Sequence, residues 1–208
     1  TSFFRDSKPF DQFRDIVLPH LLKTRAGIRK VRIWCAAAST GQEPYSLAMV
    51  LKENAAKFAG WTFEIVATDI DTAVLETAKK GDYSQFEVQR GLPIQMLMKY
   101  FEQKGDRWLL KNDIKSMVQY RPFNLLTPMA GLGKFDVIFC RNVLIYFDRE
   151  TKASVLNNMA GILPEDGFMF LGGAETVLGI TEAFKPLENG RGIYIKPTCT
   201  TITPPAAA

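Results

Sequence analysis

The sequence predicts an α/β domain: a mostly parallel sheet with helices on both faces. Three observations predict it. Short apolar runs rich in β-branched and aromatic residues recur, helical repeats of apolar residues lie between them, and turn-forming residues mark the junctions. The 208 residues, 47% hydrophobic and 23% charged, suit one ordinary domain with a sizeable core and exclude collagen-like or wholly disordered chains. No run of about eighteen apolar residues occurs, so no membrane insertion is expected.

Taken in order, residues 9–23 place Phe10, Phe13, Val17 and Leu21 on one helical stripe. A strand follows at 31–35 (VRIWC), then the small-residue loop AAASTG and a helix over 42–58. A second strand, 62–68 (TFEIVAT), runs into Asp69-Ile70-Asp71. Asp71 or Thr72 can cap a helix reaching Lys80, with Gly81 as its stop. Farther on come a buried-type strand at 135–140 (FDVIFC), a helix over 150–163 closed by Pro164 and Asp166-Gly167, and strands at 168–171 and 192–196. Residues 82–120 exceed what a simple crossover needs and read as a small insert. In it 93–101 is helical, and 107–110 pairs with 115–120 as a β-hairpin turning at Asn112-Asp113. Both an elaborated crossover and a docking surface fit its length. Residues 1–197 are thus one domain, and 198–208 (TCTTITPPAAA) read as a disordered tail.

The inventory narrows the chemistry. Cys35, Cys140 and Cys199 are the three cysteines, with no C-x-x-C pair. They argue against a disulfide framework or structural zinc and for a reducing, cytoplasmic setting. His20, the single histidine, leaves no His-rich metal site, and no metal is expected. A net charge of +4 is too small to argue for nucleic acid. The chain opens on Thr1 without Met or signal peptide, and reads as trimmed at its front.

In an open parallel sheet, ligands sit beyond the carboxyl ends of the strands. The loop Ala36-Ala37-Ala38-Ser39-Thr40-Gly41 lets backbone approach a ligand, though it is not G-x-G-x-x-G and a plain tight turn explains it as well. Glu43 in the first turn of the next helix suits the helix dipole. Asp69 can accept both hydroxyls of a ribose or cap a turn. Together these favour an adenosine-containing cofactor without choosing between NAD and S-adenosylmethionine.

The blocks WCAAASTGQEPYSLA (34–48), ATDID (67–71), FNLL (123–126) and FDVIFCRNVLIYFD (135–148), preceded by TSFFR (1–5), occur in that order. They closely resemble the CheR family of chemotaxis receptor methyltransferases, over nearly the whole chain to about Lys196. The resemblance implies a Rossmann-like S-adenosylmethionine domain with an antiparallel last strand. It also implies methyl transfer to glutamate side chains on the cytoplasmic helices of receptors, with S-adenosylhomocysteine as product. Carried onto matching positions, Thr1 and Arg5 would close over the cofactor, Ala37 and Glu43 would line its methionine side, and Asp69 would hold the ribose. Asn124 and Leu125 would frame the adenine, Cys140 and Arg141 would also bind the cofactor, and Arg141 and Tyr146 would face the methyl group and the acceptor carboxylate. Arg141 would orient that carboxylate by paired hydrogen bonds.

Three departures qualify the match. The family's basic N-terminal helical domain is expected to be missing. Gly172-Gly173-Ala174-Glu175 stands where the family has G-H-S-E, which puts that loop's role in doubt, and Gln42 replaces a common Glu. These motivate one alternative, a cofactor-binding signalling module without turnover. Nucleic-acid methylation ranks lower, because Arg141-Asn142-Val143-Leu144 replaces the [DNS]-P-P-[YFW] tetrapeptide of the amino-methylating enzymes.

Overall fold

A computed structural model describes residues 1–206. The chain begins with helix α1 (Lys8–Gln12), a π-helical turn at Phe13–Val17, and α2 (Leu18–Thr24). One straight helix was expected over these residues. Pro19 has no N–H to donate and its ring crowds the preceding turn, so the helix widens just ahead of it. Strand β1 (Lys30–Cys35) leads to α3 (Gln42–Glu53), and β2 (Thr62–Asp69) leads to α4 (Thr72–Lys80). Asp71 caps α4 by accepting from the Ala73 and Val74 amides, and Gly81 closes it in the left-handed conformation, as its sequence implies.

The insert differs from expectation. It contains β3 (Asp82–Ser84), α5 (Gln85–Gln89), α6 (Ile94–Tyr100), β4 (Phe101–Lys104) and β5 (Arg107–Leu110). These strands form a separate antiparallel sheet in the order β3-β5-β4. Residues 107–110 therefore pair with 101–104 across Gly105-Asp106, with Phe101 opposite Leu110. The Asn112-Asp113 turn is instead the start of a short helix, α7 (Asn112–Lys115). The next strand, β6 (Val118–Pro122), leaves the insert and runs parallel to β2, with Tyr120 beside Ala67. The large sheet offers β6 an unpaired edge, where it gains ladder bonds and half-burial.

Strand β7 (Val137–Cys140), α8 (Arg149–Gly161), β8 (Phe168–Leu171), β9 (Lys185–Pro186) and β10 (Ile193–Ile195) complete the chain. The large sheet has seven strands in the order β6-β2-β1-β7-β8-β10-β9. Of these strands β10 alone runs against the rest, antiparallel to both β8 and the edge strand β9. Alternate side chains build a core on each face. Ile33, Phe139 and Phe170 pack beneath α1–α3, whereas Trp34, Ile138 and Met169 pack against α8. Phe139 and Phe170 stack at 4.3 Å across the middle.

The expected tail is in part folded. Cys199 and Ile202 are buried in the first core, and the Asn189 amide nitrogen donates to the Pro205 carbonyl at 3.0 Å. Two apolar side chains recovered from water hold a segment that its composition alone would leave loose. Residues 207 and 208 of that tail lie outside the described residues. Among the described residues no helix is long and apolar enough to cross a membrane.

Candidate functional site

The strand order reverses between β1 and β7, and there the chains leaving the two strands part to open a crevice. The Ala36 amide still bonds to the Phe139 carbonyl at 2.9 Å. The Ala38 amide then turns the other way, to the Thr68 carbonyl, also at 2.9 Å. Ser39, with φ +49, aims its N–H at Asp69 Oδ2, 2.8 Å away. Asp69 Oδ1 accepts from the Asp71 amide at 3.1 Å. The carboxylate at the end of β2 is thus oriented by backbone, one donor to each oxygen, with its remaining lone pairs on a cavity of about 490 Å³.

Of the ten site residues expected from the sequence, nine line this cavity: Thr1, Arg5, Ala37, Glu43, Asp69, Asn124, Leu125, Arg141 and Tyr146. Cys140 does not. It is wholly buried in β7 with its side chain in the core beside α8. In-strand alternation turns Cys140 toward the helix layer while the next residue, Arg141, faces the crevice. Burial pushes the Cys35 and Cys140 thiols well above their usual range, leaving neither a thiolate for nucleophilic work.

Residues 1–7 form a strap across the opening. The Phe4 amide donates to Ser46 Oγ of α3 at 3.0 Å, which places Thr1 and Arg5 at the rim. On the opposite wall the Phe123 amide continues from β6 onto the Asp69 carbonyl at 3.0 Å. Asn124 Oδ1 then accepts from the Leu126 amide at 2.9 Å, a side-chain turn that folds Leu125 inward to 7% exposure. Ile70, Phe123 and Leu125 give this wall an apolar surface.

Arg141 holds the floor. Its side chain is 1% exposed; Nη1 donates to Glu43 Oε2 at 3.0 Å, and Nη2 donates to Asp6 Oδ2 at 2.7 Å and to the Arg5 carbonyl at 3.1 Å. Sequence led us to expect a paired grip by Arg141 on an acceptor carboxylate; in this structure its guanidinium faces oxygens of the fold itself. Both terminal nitrogens already hold the protein's own oxygens, because a guanidinium this deep needs its charge met within the fold. Nε is buried with no partner. Burial raises the Glu43 carboxyl above its usual range while the Arg141 charge pulls it back. Arg5, by contrast, is exposed, lines the cavity, and has no ion pair among the described residues. Tyr146, 79% exposed, stands at the mouth on a turn of 3₁₀-helix, Leu144–Tyr146.

Glu175 was not singled out from the sequence, and it builds the loop that carries Arg141 and Tyr146. Its carboxylate, on a residue 9% exposed, accepts from the amides of Asn142, Val143, Leu144 and Gly172 at 2.7 to 3.0 Å. The loop whose role was in doubt thus keeps its structural member, and Gly173 and Ala174 stand in for side chains that this contact does not use. The only signal was the acid ending Gly172–Glu175, four residues beyond strand β8.

Comparison with known proteins identifies the family. Residues 1–193 match the family described as CheR methyltransferase, SAM binding domain. Chemotaxis protein methyltransferase 1 of Pseudomonas aeruginosa is 42% identical over 200 residues, 94% of this chain and 73% of that protein. The chemotaxis protein methyltransferase of Vibrio parahaemolyticus is 41% identical over 94% of this chain and 71% of its own length. Among solved structures, a TehB-like SAM-dependent methyltransferase from Corynebacterium glutamicum overlays with a TM-score of 0.47 at 15% identity, covering 85% of this chain and 84% of that one. At that distance the fold is read from the strand order of this chain itself.

Proposed function

Since the chain belongs to the CheR methyltransferase family and is an S-adenosylmethionine-dependent methyltransferase of chemotaxis, we propose that it esterifies glutamate side chains of chemotaxis receptors. The observation that carries the proposal is the convergence, in one cavity at the switch point, of Asp69, an apolar wall and an arginine–carboxylate floor. These residues fit the cofactor. Asp69 offers lone pairs to a ribose diol, and Ile70, Phe123 and Leu125 offer a face to a purine. Glu43 and Arg141 give both signs of charge to an amino-acid end, with Arg141 Nε still unpartnered.

S-adenosylmethionine, when bound, supplies a methyl group activated by positive sulfur. A receptor glutamate, with an ordinary pKa of about 4.3, arrives ionised at neutral pH. With the donor held by Asp69, Glu43 and the apolar wall, that carboxylate would take up the methyl group directly through one of its oxygens. No proton moves, so the protein needs no general base and the chemistry calls for no metal. The protein's task is alignment and exclusion of water. In this proposal Arg5 and Tyr146, both at the mouth, meet the acceptor, while Arg141 positions the strap and Glu43. We place the reaction in the cytoplasm, on the helices of the receptor's inner portion.

Two measurements test the reading. Titration calorimetry with S-adenosylhomocysteine is expected to give tight binding that Asp69→Ala weakens at least about thirtyfold, the cost of removing a charged partner from two hydroxyls. Methyl transfer to a panel of receptor cytoplasmic fragments is expected to fall about tenfold or more in Tyr146→Phe with that binding unchanged. Tight binding with no transfer to any fragment would favour the signalling module without turnover.

A further inference from the structure

Tyr83 sits in β3 of the small sheet, fully buried, and touches two segments whose neighbouring residues line the cavity. Its hydroxyl donates to the carbonyl of Thr40, in the loop after β1, at 2.7 Å. Its ring meets Phe3 of the strap edge-on, with centroids 5.0 Å apart. Phe3, itself fully buried, also meets Phe101 of β4 edge-on at 5.6 Å. Gly91, between α5 and α6, lies against the same segment, and a Cβ there would stand 2.2 Å from the Phe3 carbonyl oxygen.

The strap needs such support. Phe4, Asp6 and Ser7 have φ values of +48, +65 and +40, a region non-glycine residues occupy only where surrounding structure enforces it. Two of its anchors lie outside the insert: the Phe4 amide donates to Ser46 Oγ, and Arg141 Nη2 donates to Asp6 Oδ2. The aromatic box around Phe3 comes from the insert. Burial keeps the Tyr83 phenol protonated far past neutrality, so it remains a donor to Thr40.

We propose that Tyr83 is a positioning residue for the methyl donor: through it the small sheet fixes the strap and the Ala36–Gly41 loop relative to each other and so sets cofactor affinity. This rests on the cofactor reading of the cavity. It also gives the insert a function toward the cofactor.

Three variants of the whole chain test it, each measured by calorimetry with S-adenosylhomocysteine, by steady-state kinetics and by thermal unfolding. Tyr83→Phe keeps the ring against Phe3 and removes only the bond to Thr40. It is expected to raise the Kd for S-adenosylhomocysteine and the KM for the donor about five- to tenfold, as loss of a buried hydrogen bond does. Saturated kcat stays within about twofold and the acceptor KM is unchanged. Gly91→Ala pushes on the strap and is expected to weaken binding at least as much. Gly105→Ala is the control. Gly105 shares the positive φ, at +64, but has open space around it, so this variant is expected to lower the Tm and leave the Kd alone. If Tyr83→Phe and Gly91→Ala lower the Tm as Gly105→Ala does and bind S-adenosylhomocysteine like the unmodified protein, the inference is wrong. Tyr83→Phe decides the matter alone should Gly91→Ala fail to fold. Failure of the unmodified protein to bind would defeat the cofactor reading, whereas equal binding by protein and variants defeats only the role of Tyr83.

Discussion

At Arg141 two carboxylates and a carbonyl share one buried guanidinium. Removing it strands Glu43, 12% exposed, in a wall where burial already disfavours its charge. Arg141→Ala is therefore expected to cost about 3–5 kcal/mol in urea unfolding, the usual consequence of breaking a buried pair from one side. A loss under about 1 kcal/mol would mean that the floor is solvated. Glu175 is the companion case. Glu175→Gln presents an amide NH₂ to a nest of four N–H donors and is expected to lower stability by about 2–4 kcal/mol. At this scale the sequence was legible where residues follow strand ends in a recognisable block, which is why it pointed to Asp69, Asn124 and Tyr146, all three on the cavity lining. It was silent on Asp6 and gave no role to Glu175, whose partners Arg141 and Asn142 to Leu144 lie far along the chain. Cys140 was misplaced because which of two successive residues faces a crevice depends on the pleat.

Between elements, α2 is fastened to the sheet by one charged cluster. Arg25 Nε donates to Asp136 at 2.8 Å, and Arg25 Nη2 and His20 Nε2 reach Asp166 at 2.7 and 2.9 Å. His20, read from sequence as a surface or packing residue, does both: it holds Asp166 and stands edge-on to Phe168 at 5.5 Å. The hydrogen bond from His20, then that from Arg25, holds the Asp166 carboxyl far below its ordinary 3.8. A carboxyl depressed by folding adds stability that is complete above its unfolded pKa and is lost as pH falls toward its folded one. Unfolding free energy is thus expected to decline below about pH 4, with a shallower acid limb in Asp166→Asn. Identical limbs would show that Asp166 does not carry the effect. The elements themselves were largely readable from periodicity and caps, Asp71 and Gly81 above all. The insert was not, because Gly105-Asp106 and Asn112-Asp113 both carry turn chemistry and only the open edge beside β2 decides where Val118–Pro122 pairs.

For the molecule as a whole, one sheet order explains why residues from opposite ends of the chain meet. Reversal between β1 and β7 opens the crevice, β2 and β6 supply one wall, and the strap closes the top. The sequence blocks revealed these parts and their order, while the join between insert and strap arises only in three dimensions. The central claim is that a carboxylate oxygen receives the methyl group, and the bond it forms has a chemical signature. Receptor cytoplasmic fragments incubated with the protein and S-adenosylmethionine carrying a radioactive methyl group should become labelled. Mild alkali should release that label as volatile methanol, with labelling lost when the acceptor glutamates are changed to alanine. Label that survives alkali, or that persists without those glutamates, would contradict a glutamyl ester and the account built on it.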